Sequence, residues 1–287
     1  MKPIIWITGA QGQLGQSLQK VLKPETYEII TTDFPEGDIT DFEKIEQLFQ
    51  THRFTAVINC AAYTAVDKAE TESTQAEQIN VHGAGNLAKA CEKYGAGLLH
   101  ISTDFVFDGT AKKPIGEEEV PRPQSVYGQT KHLGEQEILK RKIPAAVIRT
   151  SWLFSEFGHN FVKTMLRLGR EKETLNVVHD QRGTPTYAGD LAKVCALLLP
   201  KLSRLTEPEV FHFSNQNPCS WFEFAQEIMR QGKRGCRVNP IPTADYPTPA
   251  QRPVYSVLDP KKIELFLNYS NRPWQEALAE CLSHLNS

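Results

Sequence analysis

The sequence predicts an α/β fold, a doubly wound parallel sheet of the Rossmann type with a smaller C-terminal α/β lobe. Three observations carry this expectation. Short β-rich runs alternate with amphipathic helical stretches through the first half of the chain. A glycine-spaced loop follows the first of those runs. Past residue 150 the alternation loosens, and prolines crowd one stretch. Alternating strands and helices imply a parallel sheet covered on both faces, because parallel strands need crossovers and crossovers are right-handed.

The expected strands are Ile4–Ile7, Glu28–Thr32, Ala56–Asn59, Leu98–Ser102 and Ala145–Thr150, all short, apolar and partly β-branched. Helices fit between them at 13–22, 41–51, 74–94 and 124–141. Beyond these, helices are expected at 158–169, 187–199, 220–231 and 273–285, with strands near 174–178 and 209–213. Pro240, Pro242, Pro247, Pro249 and Pro253 exclude a continuous helix in their stretch. Residues 1–150 are read as a dinucleotide-binding domain to which some later segments return. Residues 151–287 are read as mainly a substrate-binding lobe over the carboxyl edge of the sheet, where ligands of open α/β sheets bind.

Composition excludes several classes. With 32 basic and 34 acidic side chains the net charge is −2, so there is no global attraction for nucleic acid or an anionic membrane, and neither partner is expected. The longest apolar run, Val194 to Leu199, falls far short of the ~20 residues that cross a bilayer. The run Ile4–Ile7 is too short for a signal-peptide core. Cysteines at 60, 91, 195, 219, 236 and 281 form no CxxC pair, which suits reduced thiols in a cytoplasmic protein. The eight histidines make no HExxH motif and are read as structural, and no G-x-S-x-G elbow is present. No metal is predicted.

The first strand runs into Thr8-Gly9-Ala10-Gln11-Gly12-Gln13-Leu14-Gly15. Gly9 permits a tight turn, Gly12 lets backbone approach a pyrophosphate, and Gly15 lets the following helix pack closely on the sheet. The helix amino end then offers free N–H groups to phosphate. The second strand ends near Asp33, about 20 positions past the glycines, where a carboxylate can hydrogen-bond a ribose 2′-hydroxyl. No arginine lies between Asp33 and Asp41 to take a 2′-phosphate, so the cofactor is NADH or NADPH with a tilt toward NADH. The competing reading makes Asp33 a loop cap. Asp38 and Ile39 stand where they can reach the adenine, with Thr40 and Asp41 equally suited to cap the next helix.

Tyr127 and Lys131 are four apart and share a helix face. A phenol ionises near 10, and a neighbouring ammonium lowers that value toward neutrality. Lys131 can also reach the nicotinamide ribose. Thr103 closes the fourth strand and can donate to a substrate oxygen that gains charge.

Glycine loop, strand-end threonine and Tyr-x-x-x-Lys together resemble the extended short-chain dehydrogenase/reductase superfamily. Within it the chain resembles the branch that acts on dTDP-4-keto-6-deoxy sugars. The resemblance runs in order through TGAQGQLG (8–15), NCAAYTAVDKAE (59–70), NVHGAGNLAKAC (80–91), STDFVFDG (102–109) and VYGQTKHLGE (126–135). It continues through RTSWLF (149–154), NFVKTML (160–166), DQRGTPTY (180–187) and AQRPVYSVLD (250–259). It implies hydride transfer to the C4 carbonyl of dTDP-6-deoxy-L-lyxo-4-hexulose, the last step of dTDP-L-rhamnose synthesis.

By the same matching, Tyr127 protonates the nascent alkoxide, Lys131 lowers the Tyr127 pKa and holds the ribose, and Thr103 polarises the carbonyl. Gln11, Gly12, Gln13 and Leu14 hold the pyrophosphate. Ala62, Tyr63 and Thr64 line the cofactor side. Thr64, Val66, Asp104 and Trp152 contact the sugar, although Trp152 is also readable as core. Asn160, Arg182 and Arg252 are candidates for the diphosphate, each equally readable as a structural anchor. Phe105 stands where many relatives have tyrosine, so a hydroxyl contact is missing. Some relatives hold Mg²⁺ at an acidic dimer contact; a homodimer is compatible with this chain, but no oxygen cluster predicts the ion.

Two rivals follow from the same fold. Dehydratases carry Asp-Glu after the strand-end threonine, whereas here Asp104 is followed by Phe105, and epimerases consume no net cofactor. A non-catalytic dinucleotide-binding regulatory subunit need not keep Thr103, Tyr127 and Lys131, all of which are present.

Overall fold

A computed structural model describes residues 2–286. Its principal strands are β1 (Ile4–Thr8), β2 (Glu28–Thr31), β3 (Ala56–Asn59), β4 (Gly97–Thr103), β5 (Ala145–Thr150), β6 (Thr174–Val178), β7 (Glu209–His212) and β8 (Arg237–Ile241). Its main helices are α1 (Gln13–Val21), α2 (Phe42–Thr51), α3 (Ala84–Tyr94), α4 (Val126–Leu139), α5 (Phe161–Glu171), α6 (Ala188–Leu198), α7 (Trp221–Gln231), α8 (Lys261–Leu267) and α9 (Trp274–Asn286).

Six strands form one parallel sheet in the order β7-β5-β4-β3-β1-β2. The order reverses between β1 and β3, which opens the ligand crevice at their carboxyl ends. The doubly wound α/β expectation is borne out. The strands β3 and β5 are buried at every position, as befits strands covered on both faces.

One core joins β1, β3 and β5 to α1 and α6 through Leu14, Leu18, Leu191, Val194 and Leu198, and extends to Phe211 on β7 and Ile263 on α8. On the other face Trp6, Phe49 and Leu87 lie with Val57 and Val147. A separate core of Phe154, Val162, Phe224, Ile228, Trp274 and Leu278 organises α5, α7 and α9.

Helix starts follow their caps. Asp41, rather than Thr40, caps α2, accepting from the N–H groups of Glu43 and Lys44. Ser125 caps α4 through Gly128 N, so this helix starts later than residue 124. Ser220 and Glu223 form a reciprocal capping box on α7. The expected single helix at 74–94 is instead two α segments joined by a π turn, Gln78–Gly83. Inside that turn Asn80 pairs with both backbone groups of Tyr63 and donates to Thr130 of α4. These side-chain bonds leave no signal in apolar periodicity. The proline-rich stretch includes β8, which pairs with β6 in a two-stranded parallel sheet. Pro240 is accommodated there because a two-stranded sheet leaves an outer edge that needs no N–H.

Candidate active site

The carboxyl ends of β1, β3, β4 and β5 open into a cavity of about 1440 Å³ that reaches across to α5, β6 and Trp221. Typical small-molecule pockets span roughly 300–1,000 Å³, so this one has room for two ligands in contact.

The glycine loop forms one end. Gly9 has φ +58°, and a Cβ there would lie 2.7 Å from the backbone nitrogen of Ala61. At Gly15 a Cβ would meet the Gly9 carbonyl oxygen at 2.5 Å, so helix and turn can touch only without side chains. Gly12 begins α1 with no side-chain cap, leaving first-turn N–H groups for an anion. Gly9, Gly12, Gln13, Leu14 and Gly15 all line the cavity, and this cradle fits a dinucleotide pyrophosphate. The carboxylate of Asp33 lines it too, and accepts from Gln11 N at 2.8 Å and Phe34 N at 2.9 Å. The loop-cap geometry is therefore real, and each oxygen keeps a lone pair for a further donor. Asp38 lines the wall with one oxygen bound to the N–H and hydroxyl of Thr40, and buried Ile39 lies beside it.

Thr103, Tyr127 and Lys131 meet on the wall formed by β4 and α4. Burial of its hydroxyl pushes the Tyr127 phenol up to about 12, Asp104 pushes the same way, and a hydrogen bond with Thr103 opposes them. Lys131, expected to lower this value, is not among the groups that set it. The Lys131 ammonium donates to the carbonyl of Ile101 at 2.6 Å and faces His100 Nε2 at 3.4 Å. Burial brings Lys131 down to about 8, against the pull of Glu135 and Cys60. The Thr103 hydroxyl donates to Asp104 at 3.2 Å and accepts from Phe105 N. Burial raises Asp104 to about 6 despite bonds from Ser256 and Thr103, and its Oδ2 is one of the few buried polar atoms without a partner among the described residues. Phe105 sets its ring edge-on to Tyr127, with centroids 5.5 Å apart.

One turn beyond Lys131, Glu135 anchors α4. Burial would raise its pKa, but hydrogen bonds from Arg149, His132 and Ser102 and the Arg149 charge bring it down to about 2. Arg149 holds it through two bonds, 2.9 and 2.7 Å.

Opposite this wall Trp152 lies flat on Trp221 with centroids 3.6 Å apart, and Phe161 closes against Trp221 at 4.6 Å. Trp152 has φ +48°, and its ring occupies the space a Gly183 side chain would need. It lines the cavity rather than filling the core. Ala62, Thr64 and Val66 are also in the wall. Arg252 lines the rim, clamped by Asp67 at 2.6 and 2.7 Å. That clamp holds the Asp67 carboxyl below its usual range.

Four expected contacts lie elsewhere. The Tyr63 hydroxyl is turned to Glu72 and its N–H to Asn80, off the cavity. Gln11 is exposed beside the loop, with its backbone bonded to Asp33 and Gln16. Asn160 caps α5 and donates to Gln13 Oε1 at 3.0 Å, fastening the second lobe to α1. Arg182 leans toward Glu223 and the Pro218 carbonyl, outside the wall. Tyr63 and Asn160 already have protein partners for their polar atoms, and Gln11 and Arg182 lie on the exposed side. Sequence reasoning missed Trp221, Phe161, Phe34 and Ser151 in the wall, and Asn59 and His100 behind Lys131. The last two had a signal, a polar residue within a buried apolar strand.

Among the described residues no group of three or more His, Cys, Asp or Glu side chains could hold a metal ion, and no helix is long and apolar enough to cross a membrane. All six cysteines are free thiols.

Comparison with known proteins agrees over the whole chain. The family model described as RmlD substrate binding domain matches residues 1–287. The dTDP-4-dehydrorhamnose reductase of Aggregatibacter actinomycetemcomitans is 41% identical over 95% of this chain and 96% of its own length. A crystal structure of a dTDP-4-dehydrorhamnose reductase from Clostridium acetobutylicum superposes with a TM-score of 0.94 at 43% identity, covering 99% of this chain and 100% of the other. One from Bacillus anthracis, in complex with NADP, has a TM-score of 0.95 at 40% identity and the same coverage. The chain belongs to the RmlD substrate binding domain family, on an extended short-chain dehydrogenase/reductase fold.

Proposed function

We propose that this chain reduces the C4 keto group of dTDP-4-dehydro-L-rhamnose, giving dTDP-L-rhamnose. The observation that carries the reading is Thr103, Tyr127 and Lys131 on one wall of a cavity whose far end is the glycine cradle. The full-length match to reductases of that name supports it.

The bound dinucleotide supplies the hydride. The protein supplies the rest. Tyr127 is protonated at neutral pH, so it acts as the acid that delivers a proton to the C4 oxygen. Thr103, hydrogen-bonded to the Tyr127 oxygen, turns its hydroxyl from Asp104 to the carbonyl oxygen when the sugar binds. Lys131, one turn along the helix on the same wall, holds the nicotinamide ribose. The free Oδ2 of Asp104 accepts a sugar hydroxyl, and the Trp152–Trp221 face covers the apolar side of the sugar. Arg252, fixed by Asp67, offers its remaining N–H groups to the diphosphate.

Asp33 favours NADH, since its charge repels a 2′-phosphate, while Gln11 N keeps the carboxylate at the loop. Residues 1–150 with the returning β7, α6 and α8 segments act as the dinucleotide-binding unit, and the remainder of 151–287 mainly as the substrate lobe. Free thiols fit work in the cytoplasm. Deuterium carried on C4 of the reduced cofactor is expected at C4 of the product sugar by NMR; deuterium elsewhere, or none, removes this reading.

A further inference from the structure

Behind the catalytic wall a chain of buried polar groups runs from Lys131 to the end of β1. The Thr8 hydroxyl donates to Asn59 Oδ1 at 2.7 Å, and Ala61 N–H donates to the same oxygen at 3.1 Å. A backbone N–H can only donate, so the Asn59 amide is fixed with oxygen toward Ala61 and nitrogen toward His100. Asn59 Nδ2 meets His100 Nδ1 at 2.9 Å. An amide nitrogen can only donate, so Nδ1 must carry the lone pair, and neutral His100 holds its proton on Nε2. That nitrogen faces Lys131 Nζ at 3.4 Å, and all four side chains are at most 2% exposed.

We propose that His100, oriented by Asn59 and Thr8, is a positioning residue that sets the charge of Lys131. A neutral amine has a lone pair that accepts from Nε2–H, whereas an ammonium meets that N–H with another and gains nothing. The arrangement tips Lys131 toward its neutral form and fixes where its alkaline titration falls. The other groups facing Lys131 are Glu135 on its own helix, the Ile101 carbonyl on β4, and Cys60 beyond β3, while Tyr127 lines the same cavity one turn before it. Glu135 favours the ammonium, but its charge is shared with Arg149. Burial holds the Cys60 thiol neutral. Burial likewise keeps His100 far below its ordinary range, so the ring does not itself titrate near neutrality.

The inference rests on the proposed role of Lys131 at the dinucleotide ribose, and its test is read by binding rather than turnover. In the wild-type protein, imidazole ¹⁵N NMR between pH 7 and 9 is expected to show His100 as the Nε2–H tautomer throughout. The Nδ1–H tautomer, or an imidazolium at pH 7, overturns the proposal. Affinity for NADH and NADPH, followed by fluorescence across the same range, is expected to weaken as Lys131 loses its proton. His100→Gln places a carbonyl acceptor against the amine, so that weakening moves up by about one pH unit, tenfold in proton concentration. An unmoved binding profile in a folded His100→Gln protein means that His100 only fills space. Dinucleotide binding with this pH behaviour but no reduction of the dTDP-sugar would remove the proposed substrate and leave the Lys131–His100 relation standing.

Discussion

Asp33 and Gln11 are joined by a 2.8 Å hydrogen bond, carboxylate to backbone N–H, that ties the end of β2 to the glycine loop. The residue proposed to select the ribose therefore also shapes the glycine loop. Asp33→Asn keeps an acceptor and removes the charge. The NADH over NADPH preference is expected to fall about tenfold, about 1.4 kcal/mol. An unchanged ratio of the two dissociation constants would make Asp33 a loop cap alone.

Tyr127→Phe removes only the proton donor. Turnover should fall by about 10²–10⁴-fold with dinucleotide affinity intact. Lys131→Ala should weaken both. Wild-type turnover in the phenylalanine variant would sink the acid assignment, and unchanged cofactor affinity in the alanine variant would take Lys131 off the ribose.

Glu135 and Arg149 form a buried pair, 0% and 3% exposed at their side chains. Arg149→Met leaves a buried carboxylate unpaired, and the expected loss of stability is about 3–5 kcal/mol. Because Glu135 has its folded pKa depressed to about 2, its contribution is fully present above its unfolded value of about 4.3. It is lost as pH falls from there through about 2. The melting temperature of Glu135→Gln should accordingly vary less with pH across that window than wild type. Parallel curves would contradict the pairing.

Gly183 has no room for a Cβ, which would sit 2.5 Å from Trp152 Cε2. Gly183→Ala should displace the Trp152–Trp221 stack and raise KM for the sugar nucleotide while leaving dinucleotide affinity unchanged. If KM stays put, the stack does not touch substrate.

What could be read from the sequence was local. The Gly9–Gly15 spacing and the Tyr127–Lys131 pair depend on one turn or one helix face, and both were recovered. The direction of the Lys131 ammonium was not legible, because Ile101 and His100 on a neighbouring strand set it. Asn160 was legible both as a diphosphate candidate and as a structural anchor, and its partner Gln13, 147 residues away, places it as the anchor. Arg252 was legible as a candidate, but its clamp to Asp67 spans 185 residues and exists only after folding. Trp152 reaches the cavity through a left-handed backbone and an absent side chain at Gly183, neither of which periodicity reveals.

The most direct test is oxidation of NADH and of NADPH by the purified protein, followed by absorbance, with dTDP-6-deoxy-L-lyxo-4-hexulose made in situ from dTDP-glucose. The account predicts cofactor loss matched mole for mole by dTDP-L-rhamnose. Dinucleotide binding with no cofactor consumed on this sugar would contradict it.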